Sequence, residues 1–505
     1  MAKQRFTHVF FSILLSAFLT GAALFPWNGC FLIFVSFAPL FHLFENSSVL
    51  KRMFIALFWG LIVHTSVLFW LMPVTVAGTF TLAAYHALYA VLFALLWKKM
   101  KGGIEKAFCW VGLEWLKSNL ACGSPWGDLG QALADHPLFM QMASLGGIHL
   151  VSFWIIWVNL KIFDCLIKRK ENKSALKEVL LLSAIFVVPL IFGFIRLNDH
   201  DSQKIDGGEA IKVAVIQPNI SPLVKWDAET EEEQFAILEE WTREAAKGSP
   251  DVVVWPETAL VQDPRFSPDI CARIENLSAD LKVRLMIGAP DSENPDGDYN
   301  SLFLTGPGFF YEQVYHKINL VPFGEFIPFE SLLPKMKLLT PIQGGFLRGD
   351  QTPLFYLNKI PFSPLICFED TLSSFVRKCV HHGARFLVSA TNDGWFSIGS
   401  IGPLSHDYLA RYRSVENGVP LVRCANTGVS SCIDCRGRVI KQVLGNKEEV
   451  VNIPGILTWD VPVHMENTLF SSIGSIWILL GLAWSFILAV FQKRRAGSGS
   501  AASVT

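Results

Sequence analysis

The chain has 505 residues, of which 51% are hydrophobic and only 17% are charged. This composition is too apolar for an ordinary soluble protein, so it indicates a membrane protein that also has a soluble part. The formal net charge is −1 and the basic residues fall in short clusters between apolar runs, which argues against a nucleic-acid partner. The cysteines show no metal-ligand spacing with histidines or carboxylates, so we expect no metal and no other cofactor.

Long apolar runs dominate the first 200 residues. A transmembrane helix needs about 20 mostly apolar residues. The sequence predicts eight such spans, near 8–25, 30–45, 53–72, 77–97, 105–121, 143–164, 178–195 and 471–491. The fifth span is the weakest because it contains Glu114 and Lys117, but it is needed to keep the basic loops on one side of the membrane.

Clusters of lysine and arginine predict the orientation. They lie at 3–5, 51–52, 98–106, 161–177 and 493–495. With eight spans all of these clusters fall on the same side, as the positive-inside rule requires. We therefore expect residues 1–200 to form a transmembrane domain in a bacterial inner membrane, with both termini and a tail at 492–505 in the cytoplasm. The segment between the last two spans then lies on the periplasmic side.

Residues 209–463 have a different sequence pattern, in which short apolar runs alternate with amphipathic helical patterns. This alternation predicts an α/β layered domain whose strands are buried on both faces. A Pro/Gly-rich stretch at 321–350 interrupts the pattern and predicts a long loop. Its glycines permit unusual backbone angles, which makes it the segment that we expect to admit substrates.

Three residues at the ends of predicted strands form a possible reactive set: Glu257, Lys317 and Cys367. A thiol attacks a carbonyl as the thiolate, a carboxylate takes its proton, and an ammonium stabilises the oxyanion that forms. Each residue also has an ordinary explanation, since a cysteine at a strand end often only packs and single charged residues are usually solvated. Together they form a complete acyl-transfer set without histidine.

The motifs around these residues resemble a known superfamily. Trp-Pro-Glu at 255–257, His-Lys-Ile-Asn-Leu-Val-Pro-Phe-Gly-Glu at 316–325 and Ile-Cys-Phe-Glu at 366–369 resemble the Glu-Lys-Cys triad of the nitrilase superfamily. With the predicted spans, and with Thr-Asn-Asp-Gly-Trp-Phe at 391–396, the chain resembles the apolipoprotein N-acyltransferases along nearly its whole length. The resemblance implies an αββα sandwich with Cys367 as nucleophile, Glu257 as base, Lys317 as oxyanion stabiliser, and Glu325 and Glu369 as supporting residues.

The resemblance also implies a lipid-accessible site near Trp226, Phe368 and Trp395. Ordinary apolar packing is the competing explanation for the two tryptophans. Phe368 departs from the family, in which many members have tyrosine, so any role of that hydroxyl is absent here.

The implied reaction transfers an acyl chain from a membrane phospholipid, through a Cys367 thioester, to the α-amine of a diacylglyceryl-modified lipoprotein. Two alternatives remain open: a membrane-tethered amidase that uses the same triad with water, and a non-catalytic protein that binds or transports lipid. The second predicts that Cys367→Ala and Glu257→Ala leave function intact. We expect a monomer.

Overall fold

The computed structural model describes residues 2–26, 29–120, 123–170, 176–199, 210–307, 309–327, 345–396, 401–463 and 465–501. The chain divides into two compact units. The first comprises Met1–Phe69, Thr79–Leu197 and Ser472–Thr505, and the second comprises Trp70–Gly78 and Asn198–Ser471. Residues 328–344 of the predicted loop lie outside the described residues.

The helices and strands have the following bounds. The helices are α1 Ala2–Leu24, α2 Ala38–Glu45, α3 Val49–Leu68, α4 Val76–Leu96, α5 Gly103–Asn119, α6 Pro137–Met140, α7 Ala143–Gly146, α8 Ile148–Lys170, α9 Leu176–Asn198, α10 Pro222–Lys225, α11 Glu231–Ala246, α12 Pro268–Leu281, α13 Ser373–His381, α14 Ile401–Asn417, α15 Leu469–Ile473 and α16 Ile476–Ala501. The strands are β1 Ala210–Gln217, β2 Val252–Val254, β3 Arg284–Asp291, β4 Tyr299–Gly306, β5 Phe309–His316, β6 Phe355–Leu357, β7 Ile360–Ile366, β8 Leu387–Thr391, β9 Leu421–Ala425, β10 Ser431–Ile433, β11 Val439–Gln442 and β12 Gly455–Pro462.

Within the described residues, five helices are long and apolar enough to cross a membrane. They are Thr7–Leu24, Val49–Leu71, Val76–Leu96, Ile148–Arg169 and Leu176–Asn198. Two further apolar helical stretches, Cys30–Glu45 and Ile476–Leu488, are shorter. The predicted total of eight spans is therefore not confirmed.

Glycines in left-handed conformations explain where helix bounds depart from the predicted spans. Gly147 has φ +73° and separates α7 from α8, and Gly474 has φ +60° and separates α15 from α16. Because an α-helix cannot continue through a left-handed residue, neither 143–164 nor 471–491 is one uninterrupted helix.

Helix α5 has charged residues that are buried inside the first unit. Glu114 and Lys117 are both buried. Lys117 Nζ lies 2.8 Å from Asp128 Oδ1, and the backbone N–H of Leu129 donates to Glu114 Oε1 at 3.0 Å. The segment after α5 thus folds back and pairs these charges, which lowers the cost of burying them.

Two six-stranded sheets form the centre of the second unit. Their strand orders are β12-β1-β2-β3-β4-β5 and β11-β10-β9-β8-β7-β6. The inner strands β1, β2 and β3 run parallel, as do β7, β8 and β9, and the outer strands pair antiparallel with them. This is the layered α/β organisation that the alternating pattern predicts.

The alternation of side chains along β1 shows how the layers pack. Val213 and Val215 join one apolar cluster with residues of the second sheet, such as Ile366 and Val422. Ala214 and other residues of the opposite face join a second cluster with α11 and α12. Successive residues of a strand point to opposite faces, so β1 contributes to both the core between the sheets and the core beneath the helices.

Candidate active site

Three of the predicted site residues directly follow strands. Glu257 lies just beyond β2, Lys317 follows the last residue of β5, and Cys367 follows the last residue of β7. Cys367 begins a short 3₁₀ turn, Cys367–Thr371. Loops at the ends of rigid strands hold side chains in defined positions, so the two sheets supply the frame for this site.

Lys317 is the centre of the charged part of the site. Its side chain is buried, with Nζ 3.2 Å from Glu257 Oε1 and 2.8 Å from Glu325 Oε1. Burial alone lowers the pKa of this ammonium, but the charges of Glu257 and Glu325 outweigh burial and hold the pKa well above its ordinary value. Lys317 is therefore cationic at neutral pH, and each carboxylate takes up one of its three protons.

Two asparagines complete the surroundings of the carboxylates. Asn300 Nδ2 donates to Glu257 Oε1 at 2.8 Å and to Glu325 Oε1 at 2.9 Å. The backbone N–H of Asn392 donates to Glu257 Oε2 at 2.9 Å. Both oxygens of Glu257 thus have fixed donors, which orient the carboxylate.

Cys367 is a buried thiol outside any disulfide. Burial raises the pKa of this thiol well above its usual value, the charge of Glu257 raises it further, and the charge of Lys317 opposes both. The thiol is therefore protonated at rest. A reaction at Sγ then requires a base that removes the proton during attack.

Glu369 connects the segments that carry Lys317 and Cys367. Its Oε1 accepts hydrogen bonds from Tyr315 Oη at 2.7 Å and from the backbone N–H groups of Ile318 and Asn319 at 2.9 and 3.0 Å. Its Oε2 accepts from the backbone N–H of Ile366 at 3.0 Å. The carboxylate therefore ties the turn after β5 to the end of β7.

The aromatic residues expected near a lipid-accessible site differ in exposure. Trp226 and Trp395 are 50% and 49% exposed, whereas Phe368 is 4% exposed. The two tryptophans are thus available for contact with another molecule, and Phe368 is part of the protein interior.

A second charged cluster lies close to the thiol of Cys367. Sγ of Cys367, a carboxylate oxygen of Asp393 and a ring nitrogen of His406 all lie within 4.8 Å of one another. Both ring nitrogens of His406 already contact carboxylates, at 2.8 Å from Asp370 Oδ1 and 2.8 Å from Asp393 Oδ1. A ring that donates through both nitrogens has no lone pair for a metal, so these residues fit a metal site poorly.

The sequence reasoning missed Asn300, Asn392, Asp393 and His406. Asn392 and Asp393 lie in Thr-Asn-Asp-Gly-Trp-Phe, the stretch that carried part of the family resemblance. Asn300 is a buried residue of strand β4 that lies between Tyr299 and Ser301, so no contrast with its neighbours distinguishes it. His406 lies among many polar residues of α14, where no local pattern distinguishes it.

Comparisons with known proteins give matches to two family models and to a solved structure. Residues 212–458 match the carbon-nitrogen hydrolase family, and residues 16–161 match the apolipoprotein N-acyltransferase N-terminal domain. An amidase from Nesterenkonia sp. has a solved structure that covers 54% of this chain and 95% of its own, with a TM-score of 0.38 and 16% identity.

Two curated relatives match over nearly the whole chain. The apolipoprotein N-acyltransferase of Geobacter metallireducens is 32% identical over 95% of each chain. That of Rhodopseudomonas palustris is 28% identical over 96% of this chain and 95% of its own. These matches confirm the resemblance seen in the motifs, and the chain belongs to the apolipoprotein N-acyltransferase family.

Proposed function

We propose that this chain N-acylates lipoproteins through a thioester on Cys367. The acyl donor is a membrane phospholipid, and the acceptor is the α-amine of a diacylglyceryl-modified cysteine at the lipoprotein N-terminus. The observation that carries the proposal is the contact of Lys317 Nζ with both Glu257 and Glu325, next to a buried thiol on which Glu257 and Lys317 both act electrostatically. Base, cation and nucleophile are thus assembled at one place.

In the first half-reaction, Sγ of Cys367 attacks the ester carbonyl of the phospholipid as Glu257 takes the thiol proton. The third proton of Lys317 Nζ, which neither carboxylate takes up, stabilises the oxyanion of the tetrahedral intermediate. The ester C–O bond then breaks, Glu257 returns the proton to the leaving oxygen, and a lysophospholipid departs. The acyl chain remains as a thioester on Sγ.

In the second half-reaction, the lipoprotein amine attacks the thioester carbonyl. Such an α-amine has a pKa of roughly 8 and is partly neutral at ambient pH. Glu257 removes one proton from the attacking nitrogen, the C–S bond breaks, and the thiolate regains a proton. The products are an amide and the free thiol, as a ping-pong mechanism requires.

The supporting roles follow from the contacts. Glu325 shares Lys317 with Glu257 and so holds the ammonium in place. Glu369 fixes the backbone on both sides of the site. The half-exposed Trp226 and Trp395 offer apolar surface to acyl chains. Phe368 is buried and takes part in the packing of the protein interior.

We also propose that the chain is a monomer in a bacterial inner membrane, with the catalytic unit periplasmic and the termini cytoplasmic. This assignment rests on the eight-span arrangement, with a transmembrane domain at 1–200, a catalytic domain at 209–463, a last span at 471–491 and a cytoplasmic tail at 492–505. The basic clusters of the sequence support it.

The test is to incubate the purified protein with a phospholipid of one defined acyl chain and to measure its intact mass. We expect an increase equal to that acyl group on the wild type and none on Cys367→Ser. Glu257→Gln should slow formation of the adduct, because the thiol is protonated at rest.

The acceptor is tested by adding a diacylglyceryl lipopeptide to the acylated protein. The adduct should disappear much faster with the lipopeptide than in buffer alone. Equal rates would favour the amidase alternative, and an active preparation without any adduct would refute the covalent mechanism.

A further inference from the structure

His406 contacts the backbone of the proposed nucleophile. Its Nε2 lies 3.3 Å from the carbonyl oxygen of Cys367 and 2.8 Å from Asp370 Oδ1, and its Nδ1 lies 2.8 Å from Asp393 Oδ1. The residue is 3% exposed, so a lipid substrate has almost no surface of it to touch. Any effect of His406 on the reaction must pass through its neighbours.

The geometry makes the ring an imidazolium. Both nitrogens face carboxylate oxygens, which accept hydrogen bonds and do not donate, so both nitrogens carry a proton. Burial alone lowers the pKa of His406, but the charges of Asp370 and Asp393 outweigh burial and raise the pKa to about 10.

The charges of the buried cluster around the ring balance only when it is protonated. Arg423 Nε lies 3.1 Å from Asp370 Oδ2, and Arg423 Nη1 lies 3.3 Å from Asp407 Oδ1. Arg411 Nε lies 2.7 Å from Asp407 Oδ2. Within the part of the chain that the structure describes, three buried aspartates thus face three cations, which are His406, Arg411 and Arg423. A neutral ring would leave one uncompensated negative charge beside the thiol.

Cys367 needs such a partner because its backbone is strained. Its φ is +49°, in the left-handed region that is unfavourable for a residue other than glycine. The carbonyl that contacts His406 belongs to this same residue. Fixing that carbonyl fixes the orientation of the Cys367 backbone, and hence the direction of the Cα–Cβ bond that carries Sγ.

We propose that His406 is a positioning residue of the acyl-transfer site, whose Nε2–H holds the carbonyl of Cys367 and thereby aims Sγ at the substrate. This inference rests on the proposed role of Cys367 as nucleophile. Loss of the contact slows acylation without weakening phospholipid binding, since a misplacement of about 1 Å costs about 10²-fold in rate.

The test compares two neutral variants, His406→Gln and His406→Asn, in the full-length protein. The amide nitrogen of glutamine takes approximately the place of Nε2, whereas that of asparagine takes the place of Nδ1 and cannot reach the Cys367 carbonyl. We expect the asparagine variant to form the acyl adduct about 10²-fold more slowly than wild type and the glutamine variant to retain most of the rate. KM for the phospholipid should stay unchanged in both.

Ser431→Ala is the matched control. Ser431 Oγ donates to Asp407 Oδ1 at 3.0 Å, so the variant removes one hydrogen bond from the same buried cluster without touching His406 or Cys367. It should keep the wild-type rate of adduct formation. Equal rates for the glutamine and asparagine variants, or losses that follow the melting temperature across all three variants, would overturn the inference.

Nitrogen NMR of the wild type tests the imidazolium without any substitution. With ¹⁵N-labelled histidine at pH 8, where an unperturbed ring of pKa about 6.5 is neutral, one ring should remain protonated on both nitrogens. A spectrum without such a ring would overturn the inference. Absence of a Cys367 adduct in the wild type, by contrast, would overturn the proposed function and this inference with it.

Discussion

A single buried ammonium shared by two carboxylates determines the electrostatics of the proposed site. Lys317 contacts Glu257 and Glu325, and Asn300 donates to the same oxygen of each carboxylate. Removing one partner from a buried ion pair costs about 3–5 kcal/mol, because the other charge is left uncompensated. We therefore expect these four side chains to act together.

The variant Asn300→Ala tests whether the side-chain amide of Asn300 contributes to this set of contacts. The substitution leaves Glu257 Oε1 and Glu325 Oε1 each short of one donor, at a cost of about 1–3 kcal/mol, which corresponds to roughly 5–160-fold in rate if it falls on the transition state. We expect that slowing in acyl-adduct formation by intact mass. The control is Asn294→Ala, which loses the hydrogen bond that Asn294 Nδ2 donates to Tyr299 Oη at 3.0 Å and the one that Asn294 Oδ1 accepts from the backbone N–H of Asp296 at 2.9 Å. An equal loss in both variants would contradict the prediction.

Lys225 is another buried lysine, and no carboxylate among the described residues forms an ion pair with it. Its Nζ donates to the carbonyl oxygen of Glu257 at 3.4 Å, which is a long hydrogen bond. Burial lowers the pKa of Lys225 to about 8, and the charge of Glu257 opposes the change only in part. The unfolded chain keeps this proton up to pH about 10.4, so folding carries an electrostatic cost at neutral pH.

We therefore predict that Lys225→Met raises the melting temperature at pH 7. Between pH 8 and about 10.4 the unfolded wild type binds more protons than the folded wild type, so its stability rises with pH. The advantage of the methionine variant, up to about 3 kcal/mol, should therefore shrink across that window. Melting curves at pH 7, 8, 9 and 10 measure it. The exposed Lys247, changed to Met, controls for loss of a lysine charge, and an advantage that grows with pH would contradict the prediction.

At the scale of elements, a glycine in β3 allows the segment that carries Glu257 to pack closely. A Cβ added to Gly288 would lie 2.2 Å from the carbonyl oxygen of Pro256 and 2.8 Å from Glu257 Cα. Real side chains essentially never come this close to backbone atoms, so one of the two segments has to move. The distance between β3 and the Glu257 segment is thus set by the absence of a side chain.

We predict that Gly288→Ala destabilises the protein by about 1–3 kcal/mol, as overpacking typically does, and slows adduct formation because Glu257 is displaced. Thermal unfolding and the rate of adduct formation measure the two effects. Gly248→Ala is the control, since its Cβ would meet only Ala245 O, at an ordinary 3.4 Å. A Gly288→Ala protein that is destabilised but fully active would show that Glu257 does not move.

The elements that sequence patterns predicted well are those with strong local signals. Inner strands such as β2 and β8 are buried throughout and mostly apolar, and α11 shows a clear amphipathic spacing. Strand β12 was missed although Leu457, Trp459 and Val461 alternate with more exposed residues along it, a readable pattern of period two. Strand β6 has only three residues, too few for any periodicity.

The predicted site residues are those at strand ends and those in the motifs that carry the family resemblance, such as Glu325 and Glu369. Glu257 and Cys367 stand out because each follows an apolar run, and Lys317 lies just past the end of a predicted strand. The roles of Asn300 and His406 become clear only in the folded protein, where β4 brings Asn300 to the carboxylate of Glu257 and α14 brings His406 to the backbone carbonyl of Cys367. Sequence separations of 43 and 39 residues in these two contacts carry no local signature.

At the scale of the whole molecule, composition established a membrane part and a soluble part, but not the number of spans. Hydropathy alone rejects α5, which has 17 residues and includes Glu105, Glu114 and Lys117. Yet Glu114 and Lys117 are paired inside the first unit, so their charges do not face lipid. Helix α5 and the two shorter apolar stretches, Cys30–Glu45 and Ile476–Leu488, are thus the reason that the count of eight stays a prediction.

Whether the number of spans before residue 209 is odd or even decides on which side of the membrane the second unit lies. Reporter fusions can measure on which side each loop lies. Alkaline phosphatase is active only outside the cytoplasm, where its disulfides form. If α5 crosses the membrane, fusions after Asn119 and Asp199 should be active, and fusions after Lys99 and Lys170 should be inactive. If α5 does not cross, the result reverses at Asn119, Lys170 and Asp199 and is unchanged at Lys99. An inactive fusion at Asn119 with an active one at Asp199 would contradict both arrangements and would mean that α8 or α9 does not cross as a single span. The basic clusters favour the cytoplasmic side whether or not α5 crosses the membrane. The four fusions therefore test the number of spans and the periplasmic assignment together.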